Sequence, residues 1–364
     1  MSPHFQQEFV STRRQTPGRY NVPIVAQMES QIPPTPALQQ TSTPTGNSPK
    51  GSLLKSVFNG SNGVRSGWRV LLFYSLLASL IYFLVMVIRA IRAFLGLPHQ
   101  ATNVLTPGRG LLNEAIFLFA VLFTSAIFAR FERRSFADYG LPVRGAFGAR
   151  FLEGLLWGLA LMSCTLLVLR TTGNFYFGSL GLAPAKIPAF AVLWALFFAM
   201  VGVAEGFAFS GYSLFALTRG IGFWPAAAVL AVLFGGLHLL VNAGENWLGS
   251  VSLVIVGLLL ALTLQRTGNL WFAIGMHAAW DWAQSFLYGV PDSGITVAGH
   301  VLNPSFQGSK WMTGGTAGPE GSAVTLLGYV FVFALINFRF PEARLKAGQY
   351  VKLRDRKGRC PTVG

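Results

Sequence analysis

Long apolar runs recur along most of the chain, and they constrain the fold more than any other feature. A helix needs about 20 apolar residues to cross a hydrocarbon core of about 30 Å. Runs near that length cover residues 70–88, 111–129, 151–169, 188–217, 223–241, 247–264, 270–288 and 321–338. Hydrophobic residues make up 52% of the chain and charged residues only 11%, as expected for a membrane protein. The sequence therefore predicts an all-α integral membrane protein with about eight transmembrane helices.

The two ends of the chain differ from this apolar part. Residues 1–66 are rich in Gln, Pro, Ser, Thr and Gly. A segment with so few apolar clusters cannot bury enough surface to offset its chain entropy, so we expect a disordered tail. It lacks the pattern of a removable signal peptide. Residues 67–338 then form the transmembrane helical domain, and residues 339–364 form a basic tail.

The formal net charge is +15, and its distribution indicates membrane orientation. Lys and Arg flank the apolar runs instead of alternating with aromatic residues, so we expect contact with membrane lipid and no nucleic-acid partner. With eight crossings, 22 of the 28 Lys and Arg residues fall on the side that holds both termini. The positive-inside rule predicts a multi-pass protein of the cell membrane with both termini in the cytoplasm.

Three of the apolar runs, at residues 188–217, 223–241 and 270–288, carry Glu205, His238, His277 and Asp281. An acidic or basic residue at the centre of a membrane helix costs about 2.5–3.5 kcal/mol, so such residues face inward, find partners and usually mark function. His277 and Asp281 are four residues apart and should touch on one helix face. Small residues nearby should allow close helix approach: Gly206, Gly211, Gly235, Gly236, Gly275, Ala278 and Ala279.

These residues stand in three short motifs. The fourth run contains Glu205-Gly206 followed by Ser210, the fifth contains Phe234-x-x-x-His238, and the seventh contains His277-x-x-x-Asp281. They resemble the CPBP family of intramembrane endopeptidases, which includes the CAAX prenyl proteases and the bacterial Abi proteins. The family motifs are Glu-Glu-x-x-x-Arg, Phe-x-x-x-His and His-x-x-x-Asn/Asp. The second and third match; the first matches only at Glu205, because Gly206 and Ser210 replace the second Glu and the Arg.

The resemblance implies a CAAX prenyl protease-like helical bundle with its motif-bearing core at residues 188–290. It also implies a mechanism without a cofactor, in which Glu205 and His238 activate a water that attacks a peptide carbonyl. His277 and its partner would stabilise the oxyanion. An ionised Asp only accepts hydrogen bonds, so we expect Asp281 to orient His277, which then donates. The predicted catalytic residues are Glu205, His238, His277 and Asp281, acting on a peptide or protein substrate that the sequence does not specify.

Other interpretations stay open. Glu205, His238 and His277 with a water could form a catalytic zinc site, although the resemblance points to a metal-free mechanism. Because the first motif is incomplete, the chain could be a catalytically inactive membrane scaffold. A third class, a proton-coupled transporter, could use the same buried groups as a relay. The two cysteines, Cys164 and Cys360, give neither a disulfide framework nor a zinc finger.

The sequence says less about three other acidic residues and about the longest connection. Glu114 and Glu153 lie near the ends of apolar runs beside basic residues, so we expect them to be solvated or interfacial. Glu245 lies in a short polar loop and should be solvated. The connection of residues 290–320 should lie outside the cytoplasm, either as a lid or as a disordered loop.

Overall fold

The structure is a computed structural model that describes residues 59–60, 63–96 and 104–345. The predicted disordered tail of residues 1–66 lies mostly outside the described residues. Residues 346–364 of the predicted basic tail also lie outside them.

The described residues form a helical bundle, as predicted. Its α-helices are α1 (Ser66–Phe94), α2 (Pro107–Glu132), α3 (Ala149–Thr171), α4 (Ile187–Phe207), α5 (Ser213–Ile221), α6 (Phe223–Val241), α7 (Trp247–Thr267), α8 (Trp271–Asp281), α9 (Lys310–Thr313) and α10 (Ala323–Arg339). Two π-helical segments, Ala208–Tyr212 and Trp282–Leu287, follow α4 and α8. Short 3-10 turns lie at Phe136–Tyr139, Pro184–Lys186 and Pro319–Gly321.

Every apolar run falls on a helical stretch. Six stretches are long and apolar enough to cross a membrane, and the fourth of them is continuous over the 38 residues from Pro184 to Ile221. The seventh run is the 11-residue α8 continued by a six-residue π-helical segment, and the eighth is the 17-residue α10. The chain is a multi-pass, all-α membrane protein, and its last two helical stretches are shorter than the six before them.

Short strands join the connections at one end of the bundle. The strands are β1 (Asn59–Gly60), β2 (Gly63–Val64), β3 (Val104–Leu105), β4 (Phe175–Leu180), β5 (Thr296–Val297) and β6 (Leu302–Phe306). β3 pairs with β5 in parallel, β4 pairs with β6 antiparallel, and β1 with β2 form a separate hairpin. Asn246, after α6, donates to the carbonyl of Gly314 at 2.9 Å. The connections that follow α1, α3, α6 and α8 therefore meet at one end, as alternating crossings require.

Close backbone contact holds α8 against α3. A Cβ atom added to Gly154 or Gly158 of α3 would collide with backbone atoms of Phe272 or Met276 on α8. A Cβ at Gly275 of α8 would collide with the carbonyl of Phe151. Only glycine allows such an approach, so these positions fix the depth and rotation of the helix that carries His277.

The other predicted small-residue contacts divide into two groups. Gly235 faces the carbonyl of Ser250 on α7, as close approach predicts, and a Cβ at Gly206 would meet Ile274 at 3.3 Å. The prediction is wrong for Gly236, because a Cβ there would meet nothing within 4 Å. Among the described residues, this face of α6 is not closely covered by another helix.

Candidate active site

The carboxylate of Glu205 lies between two imidazoles from other helices. Its Oε1 is 3.9 Å from Nε2 of His238, and its Oε2 is 3.6 Å from Nε2 of His277. Glu205 is near the end of α4, His238 near the end of α6, and His277 in the middle of α8. The structure thus brings together three residues that are distant in the sequence.

The spacing of the motif Phe-x-x-x-His places Phe234 one helical turn before His238 on α6. Nδ1 of His238 lies 2.9 Å from the carbonyl oxygen of Phe234, one turn earlier. A carbonyl only accepts hydrogen bonds, so Nδ1 carries the proton and a neutral ring presents the Nε2 lone pair. The ring of Phe234 contacts the imidazole, with centroids 4.5 Å apart. His238 is therefore held as an acceptor that faces Glu205.

The expected contact between His277 and Asp281 is present. Nε2 of His277 lies 3.2 Å from Oδ2 of Asp281. The same nitrogen faces Glu205, so the proton on Nε2 has two carboxylates as acceptors. Nδ1 of His277 is buried and has no hydrogen-bond partner in the described part of the chain. The ring is thus oriented through one nitrogen, which faces both Asp281 and Glu205.

The two departures from the family motif lie next to Glu205. Gly206 and Ser210 line a small cavity of about 30 Å³ together with Glu205 and His277. Because a Cβ at position 206 would meet Ile274 at 3.3 Å, a larger residue there would have to displace α8 slightly. Small residues at both positions leave space for water beside the carboxylate.

A larger cavity, of about 220 Å³, extends from Glu205 to the connection that follows α8. Aromatic and aliphatic side chains form most of its wall, including those of Phe197, Phe198 and Trp280. Its acidic lining residues are Glu114, Glu205, Asp281, Asp292 and Glu320, five of the chain's 13 acidic residues. Acidic residues are scarce in this chain, yet five of them surround one cavity. Apart from the motifs themselves, this clustering is the strongest sign of a functional site.

Sequence reasoning missed Asp292 and Glu320, which the long connection supplies. Ser285 donates to Oδ2 of Asp292 at 3.0 Å, and the backbone N–H of Ser293 donates to Oε1 of Glu320 at 2.8 Å. Burial raises the pKa of Asp292 to about 7. Burial and the neighbouring Asp292 raise the pKa of Glu320 well above its usual value. The sequence feature that could have drawn attention to Asp292 and Glu320 is the scarcity of acidic residues in this chain.

Two further acidic residues were assigned wrongly from the sequence. Glu114 lines the large cavity, and its Oε1 is buried without a partner among the described residues, because α2 directs it inward. Glu245 is only 9% exposed, and its Oε1 accepts a hydrogen bond from the backbone N–H of Asn246 at 2.8 Å. Burial raises its pKa. Glu153 is partly buried and pairs with Arg150 at 2.6 Å.

The mechanism without a metal stays a prediction, with zinc as its alternative. Within the described residues, no three His, Cys, Asp or Glu side chains are placed so that they could hold a metal ion.

Comparison with known proteins agrees with the motif reading. Residues 187–283 match the family model described as Rce1-like, type II CAAX prenyl endopeptidase. No curated protein and no solved structure matches the chain. The matched segment contains Glu205, His238, His277 and Asp281, whereas Glu114, Asp292 and Glu320 lie outside it. Over this segment the chain is similar to the Rce1-like CAAX prenyl endopeptidases, in agreement with the resemblance that its motifs show.

Proposed function

We propose that the protein is an intramembrane endopeptidase in which Glu205 and His238 activate a water molecule. The observation that carries this proposal is the position of the Glu205 carboxylate beside two imidazoles in a cavity lined by apolar side chains. Its substrate is a peptide or protein segment that enters from the lipid or from the loop end of the bundle. The protein would lie in the cell membrane with both termini on the cytoplasmic side, as the distribution of Lys and Arg predicts.

The geometry suits a shared water. The 3.9 Å between Oε1 of Glu205 and Nε2 of His238 exceeds a hydrogen bond, and one water can bond to both atoms. Since His238 carries its proton on Nδ1, both groups accept hydrogen bonds from that water. Two acceptors on one water raise its nucleophilicity and leave its oxygen lone pair free to attack.

The reaction then follows with all atoms accounted for. Glu205 removes a proton from the water as the new C–O bond forms at the scissile carbonyl. The developing oxyanion accepts the Nε2–H of His277, which Asp281 also holds at 3.2 Å. Glu205 returns its proton to the leaving nitrogen as the C–N bond breaks. The products are an amine and a carboxylic acid, which carries the second proton of the water and releases it to solvent as a carboxylate, and the residues return to their starting states.

The name of the matching family suggests one substrate class to test first. Prenylated peptides ending in a CAAX sequence are candidates, and unmodified leader peptides and membrane-protein segments form the comparison set. The apolar wall of the cavity, with Phe197 and Phe198, suits a substrate that carries apolar side chains.

The direct test is hydrolysis of this peptide set by purified protein. We expect cleavage by the native chain, and no cleavage by Glu205→Ala or His238→Ala. Glu153→Ala is the matched control, because it removes a partly buried carboxylate that pairs with Arg150 away from the cavity. Retention of cleavage by Glu205→Ala would refute the proposal.

The catalytically inactive scaffold remains the second candidate, and Gly206 and Ser210 favour it. The double variant Gly206→Glu with Ser210→Arg restores the family motif. If only this restored form cleaves peptides, the native chain is the scaffold. A proton-coupled transporter would instead show proton uptake in vesicles that is lost in Glu205→Gln, without any hydrolysis.

A further inference from the structure

The helix that carries Glu205 continues into an irregular segment. Residues Ala208–Tyr212 form a π-helical turn, and Gly211 has non-helical φ and ψ of −89° and −114°. A π-helical turn adds a residue to the helix, so it changes the rotation of one part relative to the other by about 100°. The direction in which Glu205 points therefore depends on whether this turn is maintained.

Helix α1 supports the first residue of the turn. In the π-helical turn the carbonyl of Ala208 accepts from the hydroxyl of Ser213 at 2.6 Å and from the hydroxyl of Tyr74 at 3.1 Å. Tyr74 belongs to α1 and is far from Ala208 in the sequence. Two side-chain donors thus satisfy a carbonyl that an irregular helix would otherwise leave poorly bonded.

The last residue of the turn is fixed from α2. The Tyr212 side chain is fully buried, and its hydroxyl donates to Oε1 of Glu132 at 3.2 Å. The rings of Phe73 and Phe128 surround it, with centroids 5.0 and 4.7 Å away. Tyr212 can therefore move only if its hydrogen bond and its aromatic contacts are both lost.

Glu132 occupies an electrostatically unfavourable place. It is the last residue of α2, and a carboxylate at a helix C-terminus faces the negative end of the helix dipole. Arg69 of α1 offsets this cost through an ion pair at 2.9 Å, and the hydroxyl of Tyr139 donates to Glu132 at 3.3 Å. The Glu132 carboxylate is therefore held by side chains from outside its own helix and not by the helix itself.

We propose that Glu132 and Tyr212 are positioning residues, which hold the π-helical turn and thereby direct Glu205 toward the two histidines. This inference rests on the proposed hydrolytic function. Glu132 and Arg69 lie outside the segment of residues 187–283 that matches the family, so this support is supplied by the N-terminal helices of the chain itself.

The chain offers a matched pair of variants for the test. Tyr212→Phe and Tyr139→Phe each remove one buried tyrosine hydroxyl that donates to Glu132, but only Tyr212 belongs to the helix of Glu205. We expect Tyr212→Phe to lower kcat by about 10- to 100-fold with KM unchanged, the range for a small misplacement of a catalytic group. Tyr139→Phe should change kcat by less than about twofold. The two variants should lower the melting temperature by similar amounts.

A second pair addresses Glu132 itself. Glu132→Gln keeps an oxygen that can accept from Tyr212, and should retain most of the activity, whereas Glu132→Ala should resemble Tyr212→Phe. Equal kcat values for Tyr212→Phe and Tyr139→Phe would overturn the positioning role, as would a rise in KM alone. Cleavage by Glu205→Ala would refute the hydrolytic function instead, so the two failures are distinguishable.

Discussion

The two ends of the large cavity are built in different ways. At the inner end, Glu205, His238 and His277 come from three helices, and glycine contacts such as that of Gly275 with Phe151 fix helix positions. At the outer end, Asp292 and Glu320 come from the connection after α8. Hydrogen bonds from Ser285 and from a backbone N–H hold them. The inner end is held by closely packed helices, whereas the outer end carries carboxyl groups whose pKa values burial raises.

The largest expected effect separates catalytic from structural histidines. His238 and His300 each direct Nδ1 at a backbone carbonyl, at 2.9 and 2.7 Å, but only His238 faces Glu205. We expect His238→Ala to lower the rate of peptide hydrolysis by about 10²- to 10⁴-fold, the usual contribution of an acid or base group. His300→Ala should leave the rate within about threefold. Equal losses in both variants would remove the distinction between a catalytic and a structural histidine.

The next effect concerns how the inner end is held. Gly275→Ala places a Cβ against the carbonyl of Phe151 and should lower the free energy of unfolding by about 1–3 kcal/mol. Gly236→Ala adds a Cβ into open space and should be neutral or stabilise the helix by about 1 kcal/mol or less. Thermal unfolding in detergent measures both. A larger loss in Gly236→Ala than in Gly275→Ala would show that the packing of α8 is assigned wrongly.

The pH dependence tests the outer end. Burial raises the pKa of Asp292 from 3.8 to about 7, so the folded protein binds that proton more tightly than the unfolded chain. Its contribution to stability is complete below about pH 4 and is lost as the pH rises to about 7. We expect the melting temperature to fall over this range, and Asp292→Asn to reduce the fall by a few degrees.

Glu320 and Glu245 have pKa values raised in the same direction, so part of the fall should remain in Asp292→Asn. Ser285→Ala is the matched control, since it removes the hydrogen bond to Asp292 but leaves the carboxyl group. A melting temperature that rises between pH 4 and 7 in the native chain would contradict this account of the outer end.

The smallest expected effect is that of a chelator. The side chains around Glu205 are not placed as metal ligands within the described residues, so 1,10-phenanthroline should change the hydrolysis rate by less than about twofold. Loss of activity with the chelator, followed by recovery with added zinc, would favour the zinc alternative for Glu205, His238 and His277.

The difference between the two ends also explains what could be predicted from the sequence. Glu205, His238, His277 and Asp281 stand in long apolar runs, where an ionisable residue is conspicuous and helix periodicity fixes its neighbours. The contact of His277 with Asp281 follows from a spacing of four residues alone. Their convergence does not follow from depth, because counting residues along the runs places Glu205 nearer the cytoplasmic side and His238 nearer the other side. The packing of the three helices brings them together.

No such sequence rule places the other acidic residues of the cavity or the π-helical turn. Asp292 and Glu320 lie in the long connection after α8, where they are held by Ser285 and by the backbone N–H of Ser293, contacts that no local sequence pattern encodes. Glu114 and Glu245 resembled solvated residues because basic or polar neighbours surround them in the sequence, and tertiary packing buries them. The π-helical turn after Glu205 depends on Tyr74 and Tyr212, whose partners are far away in the chain.

The most direct measurement of the central claim is peptide cleavage in water enriched in ¹⁸O. If Glu205 and His238 activate a water, the native protein should place one ¹⁸O atom in the new C-terminal carboxylate, and Glu205→Gln should form no labelled product. Mass spectrometry of the released fragment reads both outcomes. Product without ¹⁸O from the native chain, or equal labelling by Glu205→Gln, would contradict a water-activating site at these residues.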